Sequence, residues 1–375
     1  MRRVPQFPPR FARSLANFQK RLLAWFRAHR RAFPWRESRD AYRVWVAEIM
    51  LQQTRIAAVL PYYERFLSRF PDVKALAEAR QEEVLKFWSG LGYYSRARNL
   101  HRAAKEMVVR HSSKFPRDTN AALALPGIGR YTAAAVLSIA YAAPLAVLDG
   151  NVARVLARLG AVQGDLRSGG RWEQLVKIAQ QILDRKAAGD WNQALMELGE
   201  TICTPRSPRC ADCPVGRFCQ ARALELTGEI PAPRRKPDVA RIKIAAAILR
   251  DPLGQTLLMR DPGAHDHVLF SRMWQFPAVA VSRNAERELG EHLRAILGID
   301  CTSDRSLHAL PAAHHCVTFR NIALLPFLAD VSKLPRTPRT RILKLDQLEK
   351  LPVSSATRKI ARAAANHLSQ LAASK

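Results

Sequence analysis

Apolar positions in the first half of the chain recur at helical spacing, and short polar or proline-containing turns interrupt them. From Phe11 to Ala28, Leu15, Phe18, Leu22, Leu23, Trp25 and Phe26 mark one face of a helix with basic residues between them. Phe33-Pro34-Trp35-Arg36 follows as a turn that presents an aromatic ring and a guanidinium. Asp40 to Thr54 then reads as a helix apolar nearly all round, which belongs in an interior. In it Val44, Trp45, Val46, Ala47, Ile49, Met50 and Leu51 surround one acidic side chain, Glu48. Pro61-Tyr62-Tyr63 and Phe70-Pro71 end and start further helices. Thr119 to Tyr141 reads as helix, tight turn, helix: Asp118 and Thr119 can cap the first, Leu125-Pro126-Gly127-Ile128-Gly129 makes the turn, and the second starts near Arg130. Asp149 stands between an apolar run (Leu145 to Leu148) and a helix over Val152 to Leu159.

From Arg241 the pattern changes. IKIAAAIL, QTLLMR and MWQFP read as strands, ERELGEHLRAIL as a helix, and CVTFRNIALLPFLA again as strand, which together predict an α+β domain. Between the halves, Gly228, Pro231, Pro233, Arg234, Arg235, Lys236 and Pro237 have the composition of a linker. The expected organisation is a domain over residues 11–225, a linker over 226–240 and a second domain over 241–370.

Length and composition agree with two folded domains: 375 residues, 48% of them hydrophobic, exclude a disordered chain. Charge adds a partner. Sixty Lys and Arg against 32 Asp and Glu leave a net +28, which points to a polyanion and to salt-sensitive binding of phosphates. The opening MRRVPQFPPRF has no apolar run after its basic residues, so it does not read as a signal peptide. The charge-free run from Tyr131 to Leu148 contains Ser138, Pro144 and many alanines, and suits a buried helix with a strand-like exit better than a membrane span. The expected setting is soluble and cytoplasmic. There, six cysteines suggest metal or redox use before disulfides.

Particular residues then suggest chemistry. Burial of Glu48 among apolar side chains would raise its pKa and keep part of it protonated near neutral pH, as a general acid requires. Asp149, at a helix N-terminus, could be an ordinary N-cap; the same N–H groups would also hold its carboxylate ionised. Such a pair divides into a proton donor and a charged stabiliser. Gly127 and Gly129 let backbone N–H groups approach an anion at a helix N-terminus, the helix-hairpin-helix signature of a grip on DNA phosphate. Gly90 to Arg98 (GLGYYSRAR) interleaves tyrosines with arginines, which suits base stacking beside phosphate contacts, or an ordinary loop and helix start. Cys203, Cys210, Cys213 and Cys219 form a C-x6-C-x2-C-x5-C pattern able to bind zinc or an iron–sulfur cluster; a structural zinc site usually pairs two CxxC knuckles, and here there is one. Arg206, Arg209 and Arg217 lie within that loop and would present charge to DNA. Cys301 and Cys316 read as buried thiols. His308, His314 and His315 read as DNA contacts or solvated loop before a metal site.

In order along the chain, FPWR, EIMLQQT, GLGYYSRARNL, LPGIGRYTAAAV, LDGNVARVLAR and the four cysteines resemble the MutY family of adenine DNA glycosylases, in the endonuclease III superfamily, over roughly Phe18 to Cys219. The resemblance implies a mainly α helix-hairpin-helix glycosylase domain with a 4Fe-4S cluster loop at 203–219. It also implies an α+β MutT-like (Nudix-like) domain after it, to which MWQFPA is similar. The implied activity is excision of adenine from A:8-oxoguanine or A:G pairs in double-stranded DNA, with the base flipped out because its glycosidic bond is inaccessible in the stack. Glu48 would protonate adenine N7 and Asp149 would stabilise the oxocarbenium-like sugar, with Tyr131 and Asn151 supporting them. Trp35, Arg36 and Gln193 would line the adenine pocket, and Gln53 and Tyr93 would wedge into the duplex.

Lyases of this superfamily carry Lys, for a Schiff base, where this chain has Tyr131, which implies a monofunctional enzyme. Glu286, Glu288 and Glu291 do not make the REx2EEx2G-like helix of MutT-type hydrolases, so no nucleotide hydrolysis is expected. Ala312-Ala313-His314 stands where the family commonly has Phe-Ser-His, leaving His314 but no serine to read the lesion. A monomer acting on the bacterial nucleoid is the further expectation. Two alternatives are a thymine-mismatch or oxidised-pyrimidine glycosylase, which would lack the second domain, and a non-catalytic DNA-binding module, which would not need Glu48 and Asp149.

Overall fold

The computed structural model describes residues 9–168, 170–233, 239–260, 273–301, 306–317 and 320–373, with side chains from Ser14 to Leu371. Over these residues the chain forms two compact units, Met1–Glu78 with Asn99–Arg235, and Ala79–Arg98 with Lys236–Lys375.

The first unit is helical. It contains α1 (Pro9–His29), α2 (Ala41–Leu51), α3 (Ile56–Arg69) and α4 (Val73–Glu78) before the excursion through α5 (Gln81–Trp88). It resumes within α6 (Tyr94–Arg110) and continues with α7 (Thr119–Ala124), α8 (Arg130–Tyr141), α9 (Gly150–Leu159), α10 (Arg171–Gln181), α11 (Ala188–Thr201) and α12 (Gln220–Ala223). Four of these helices start on an aspartate whose carboxylate accepts a first-turn N–H: Asp40 from Arg43 at 2.8 Å, Asp72 from Ala75 at 2.8 Å, Asp118 from Ala121 at 2.8 Å and Asp149 from Val152 at 2.7 Å.

Helix α2 is buried along almost its whole length, and Ala133, Ala134 and Ala135 of α8 are buried with it. It stops at Leu51, short of the Thr54 expected from the pattern, because Gln52 leaves the helical region with ψ 114° and Gln53 follows at a positive φ of 56°. A core of Phe18, Leu22 and Phe26 from α1, Leu156 from α9, and Trp191, Leu195 and Leu198 from α11 joins the other helices. In the turn between α7 and α8, Gly127 has φ +76°, and an added Cβ would lie 2.6 Å from the Asn99 Cβ; both conformation and space require glycine. Of the expected linker, 234–238 lie outside the described residues, while Ile230 is buried in this unit's core.

The second unit has the expected α+β architecture. Its sheet comprises β1 (Ala240–Arg250), β2 (Thr256–Met259), β3 (Ala278–Val281), β4 (His308–Ala309), β5 (Ala313–Val317), β6 (Arg320–Asp330) and β7 (Thr340–Leu343), in the order β4-β6-β1-β2-β7 with β3 on β1 and β5 on β6. Strands β1 and β6 run parallel from Ala240 opposite Arg320 to Arg250 opposite Asp330. Along β1, Ala246 and Ile248 face one core with α14 (Ser355–Ala373), whereas Ala245, Ala247 and Leu249 face another with α13 (Ala285–Leu297). This two-residue alternation between two covered faces explains why β1 reads as an unbroken apolar run.

MWQFP is not the strand expected of it. Trp274 and Gln275 make only isolated bridges, to Val353 and Met259, and Pro277 has no N–H with which to continue the ladder. The CVTFRNIALLPFLA run divides into β5 and β6, with 318–319 outside the described residues.

Residues 79–98 belong to this unit through specific bonds. Glu82 accepts from Trp274 Nε1 at 2.8 Å and pairs with Arg260 at 3.6 Å. Ser89 Oγ donates to the Val353 carbonyl at 2.6 Å and accepts from Arg358 at 3.1 Å. Cys301 is buried, but Cys316 is exposed on β5, against expectation, because the alternation along that strand turns it outward with His314. Among the described residues no helix is long and apolar enough to cross a membrane.

Candidate active site

A cavity of about 1010 Å³ opens in the first unit where the C-terminal half of α2 meets the starts of α8 and α9 and the face of α11. Trp35, Arg36, Glu48, Gln53, Gly129, Tyr131, Asp149, Asn151 and Gln193 line it, so most residues singled out in the sequence converge there from five separate stretches. Gly127, Tyr93, His314 and the four cysteines do not line it.

Glu48 is only 7% exposed. Burial pushes its pKa from the ordinary 4.5 up to about 7, and nearby Asp149 adds to the rise; the Tyr131 hydrogen bond and the Arg36 charge pull against it. The Tyr131 hydroxyl donates to Glu48 Oε2 at 2.8 Å and lies 3.4 Å from Met196 Sδ. Burial and the two carboxylates lift the tyrosine pKa well above its ordinary 10.0, so the phenol stays neutral and remains a donor.

Asp149 caps α9 as expected, accepting from the backbone N–H groups of Val152 and Asn151. The outcome for its charge differs from the sequence expectation. Burial outweighs these donors and raises its pKa above the ordinary 3.8, because a capped carboxylate still loses bulk water. The two carboxyls nonetheless sit in different settings, since backbone N–H groups hold Asp149 while a phenol holds Glu48.

The Asn151 side chain turns toward Arg154, whose Nη2 donates to it at 2.9 Å, and not toward a carboxylate. Gly199 permits this packing of α9 on α11, because a Cβ there would meet the Asn151 Cβ at 2.8 Å. The approach to Asp149 is fixed by fully buried Asn192, which accepts from Val147 N at 3.1 Å and donates to the Leu145 carbonyl and Ser138 Oγ, each at 2.8 Å.

At the opposite wall, Trp35 stacks on Phe33 with ring centres 5.0 Å apart and meets Tyr63 edge-on at 5.2 Å. The Arg36 guanidinium lies over Phe33 at 5.0 Å and Phe26 at 5.6 Å, donating to the Arg31 carbonyl at 3.1 Å and to Glu197 Oε2 at 2.8 Å. Glu197 was not legible as a site residue. Burial alone would raise its pKa, but Arg31 and Arg36 win and hold it below the ordinary value. Its one sequence signal is an acidic residue amid the apolar ALMELG of α11. Gln193 donates to the Gly189 carbonyl at 3.3 Å.

Gln53 and Tyr93 are both exposed and both left-handed, at φ 56° and 48°. Tyr93 belongs to the second unit, where the Arg96 guanidinium lies over the rings of Tyr93 and Trp88 at 5.2 and 5.5 Å. His314 is exposed on β5 of the same unit, and its carbonyl accepts from Lys359. Gly127 and Gly129 are exposed in the hairpin turn, and no side chain caps α8 behind them.

The four cysteines are half-buried, and Cys213 lies within electrostatic reach of the other three. Burial, and then the neighbouring sulfurs, push the Cys213 thiol up to about 12. Arg158 of α9, 2% exposed, donates to Cys203 Sγ at 3.4 Å, to the carbonyls of Thr204 (2.6 Å) and Pro205 (3.0 Å), and to that of Ile230 (2.7 Å). One buried guanidinium therefore organises the loop and supplies positive charge beside a sulfur. Among the described residues no three His, Cys, Asp or Glu side chains gather tightly enough for a single ion. Four half-buried sulfurs with a cation behind them fit a 4Fe-4S cluster, whose protein ligands are four cysteines.

Comparison with known proteins identifies the family. Residues 46–181 match the HhH-GPD superfamily base excision DNA repair protein family. The adenine DNA glycosylase of Mus musculus is 32% identical over 411 residues, covering 93% of this chain and 78% of that protein. That of Homo sapiens is 45% identical over 214 residues, 55% of this chain and 39% of that protein. Among solved structures, a thermostable thymine-DNA glycosylase superposes with a TM-score of 0.51 at 28% identity, covering 57% of this chain and 98% of that one. The chain belongs to the adenine DNA glycosylase family, and it is a base-excision DNA glycosylase of the helix-hairpin-helix superfamily.

Proposed function

We propose that this enzyme takes adenine out of A:8-oxoguanine and A:G pairs in double-stranded DNA and hydrolyses its N-glycosidic bond without cutting the strand. The observation that carries the reading is the Glu48 carboxyl, held near pH 7 by burial and oriented by Tyr131 in a cavity it shares with Asp149. A carboxyl still protonated near neutral pH can give its proton to adenine N7. The C1′–N9 bond then breaks with its electron pair passing to the base, and Tyr131 continues to donate to the carboxylate left behind. Asp149, with two backbone N–H groups favouring its ionised form, faces the positive charge that develops on the sugar. Water adds to C1′ and returns a proton to a carboxylate.

Trp35 and Arg36 suit the flat, polar-edged base, and Gln193 lines the same cavity. Tyr131 is a neutral phenol and cannot form a Schiff base, which supports a monofunctional reaction. The charge of +28, the uncapped N-terminus of α8 behind Gly127 and Gly129, and the exposed Arg206, Arg209 and Arg217 support binding of the DNA backbone. Cys203, Cys210, Cys213 and Cys219 would hold a 4Fe-4S cluster that acts as a rigid core for that arginine-bearing loop.

Capping supports the absence of nucleotide hydrolysis in the second unit. The Glu288 carboxylate is spent on the backbone N–H groups of Ser282, Arg283 and Asn284, and Glu291 pairs with Arg287 at 2.9 Å. Reading of the base opposite adenine falls to this unit, with His314 the candidate contact.

The test is single-turnover base release from duplexes carrying adenine or thymine opposite guanine or 8-oxoguanine, with strand integrity scored in parallel. Release of adenine alone with the strand intact is expected. Release of thymine, or no release despite tight binding, would overturn the reading.

A further inference from the structure

We infer that Glu197 is a positioning residue for excision: it fixes the Arg36 guanidinium against the base pocket and balances that charge beside Glu48. The inference rests on the adenine-releasing reading given above.

Four contacts define the Arg36 guanidinium. Phe33 and Phe26 bracket it at 5.0 and 5.6 Å, the Arg31 carbonyl takes one N–H at 3.1 Å, and Glu197 Oε2 takes another at 2.8 Å. Aromatic faces hold a cation near a plane but leave it free to slide and rotate. The carbonyl accepts one bond from a flexible side chain. Only the carboxylate adds both direction and charge, so Glu197 sets which edge of the fork meets a ligand.

Glu197 is itself held from the far side. Arg31 Nε donates to its Oε1 at 2.5 Å, and Arg31 Nη2 donates to Glu200 at 2.8 Å. The cluster thus pairs two guanidiniums with two carboxylates. Glu197 touches both cations and is 2% exposed, whereas Glu200 is exposed and therefore screened.

Glu48 feels this cluster through Arg36. The groups that face Glu48 are Tyr131 on α8, Asp149 at the start of α9 and Arg36 on the turn before α2, and Arg36 is the cation among them. Neutralising Glu197 leaves an uncompensated positive charge next to Glu48, which favours the carboxylate and depletes the proton donor at neutral pH. Removing the Arg31 charge acts in the opposite sense. A purely structural Glu197 would lower activity and stability without moving the pH dependence in a charge-determined direction.

The experiment is single-turnover adenine release by the full-length, cluster-loaded enzyme from an A:8-oxoguanine duplex, from about pH 5 to about pH 9. For Glu197→Gln, the alkaline limb should move to lower pH by on the order of one unit, and the mismatch Kd should rise several-fold. Arg31→Gln should move the limb to higher pH. Glu197→Asp, shorter by one methylene, keeps the charge but reaches one guanidinium in place of two. It should return the limb to its native position while the weakened binding persists. Should Glu197→Gln fail to fold, Arg31→Gln and Glu197→Asp still separate charge from geometry. Limbs that stay at the native pH, or that shift in the same direction for Glu197→Gln and Arg31→Gln, would overturn the inference. Absence of adenine release by the native enzyme would instead sink the functional reading beneath it.

Discussion

Replacing Glu48, the proposed proton donor, should make this protein more stable, at alkaline pH only. Glu48 has a folded-state pKa of about 7 against an ordinary 4.5, a difference of about 2.5 units. At about 1.4 kcal/mol per unit, this corresponds to about 3.5 kcal/mol. The sign follows from which state holds the proton more tightly. Below about pH 4.5 the carboxyl is protonated folded and unfolded, so burial carries no charge penalty. As pH rises toward 7 the unfolded chain ionises freely while the folded one keeps its proton. Above 7 the folded protein bears the full cost of a buried carboxylate.

Glu48→Gln removes the titration yet leaves an amide oxygen to accept from Tyr131. The variant should unfold with the native protein near pH 4.5 and exceed it by about 2–3 kcal/mol above pH 8, the amide N–H costing part of the gain. By the usual scaling this is on the order of 5–10 °C in melting temperature. Calorimetry of both proteins across pH reads it directly, and the same variant should release no adenine. A stability difference independent of pH, or a variant less stable than the native protein at alkaline pH, would refute the buried, raised carboxyl.

Asp149→Asn retains a cap for α9 but loses the charge proposed to face the sugar; single-turnover release should fall about a hundredfold or more with mismatch binding retained, and a smaller loss would contradict its proposed electrostatic role. Gly127→Ala meets both a positive φ and the Asn99 side chain, so affinity for undamaged duplex should drop and folding stability with it, the latter by about 1–3 kcal/mol; unchanged binding would remove the hairpin from the DNA interface. Trp274→Phe deletes the bond to Glu82 at a cost of about 1 kcal/mol, and faster amide exchange across Gly90 to Ser95 should reveal a loosened Tyr93 loop. Unchanged exchange there would show that the loop holds itself. Cys213→Ser should lose visible cluster absorbance and DNA affinity together; loss of the first alone would separate the cluster from the arginine-bearing loop.

What could be read from the sequence was local. Glu48 declared itself because its own helix is apolar on every side, Asp149 because it precedes a helix, and Gly127 because a turn must fall between two amphipathic runs. The cysteines showed a spacing. What escaped depends on residues distant in the chain. Glu197 is a buried acid only because Arg31 and Arg36 fold onto it from more than 150 positions away. Residues 79–98 lie among the glycosylase helices in sequence, yet Trp274, Val353 and Arg358 draw them into the second unit. The balance at Asp149 was also invisible: its capping donors follow from position, but the burial that outweighs them depends on how α9 packs. MWQFP has strand composition, and its outcome turned on a proline that the ladder cannot pass.

The measurement that bears most directly on the account is single-turnover adenine release by the native enzyme from an A:8-oxoguanine duplex as a function of pH. If Glu48 gives its proton to the leaving base, the rate should hold level below about pH 7 and fall about tenfold per unit above it. A rate that stays level or rises through pH 8 would mean that no proton held by Glu48 drives the reaction.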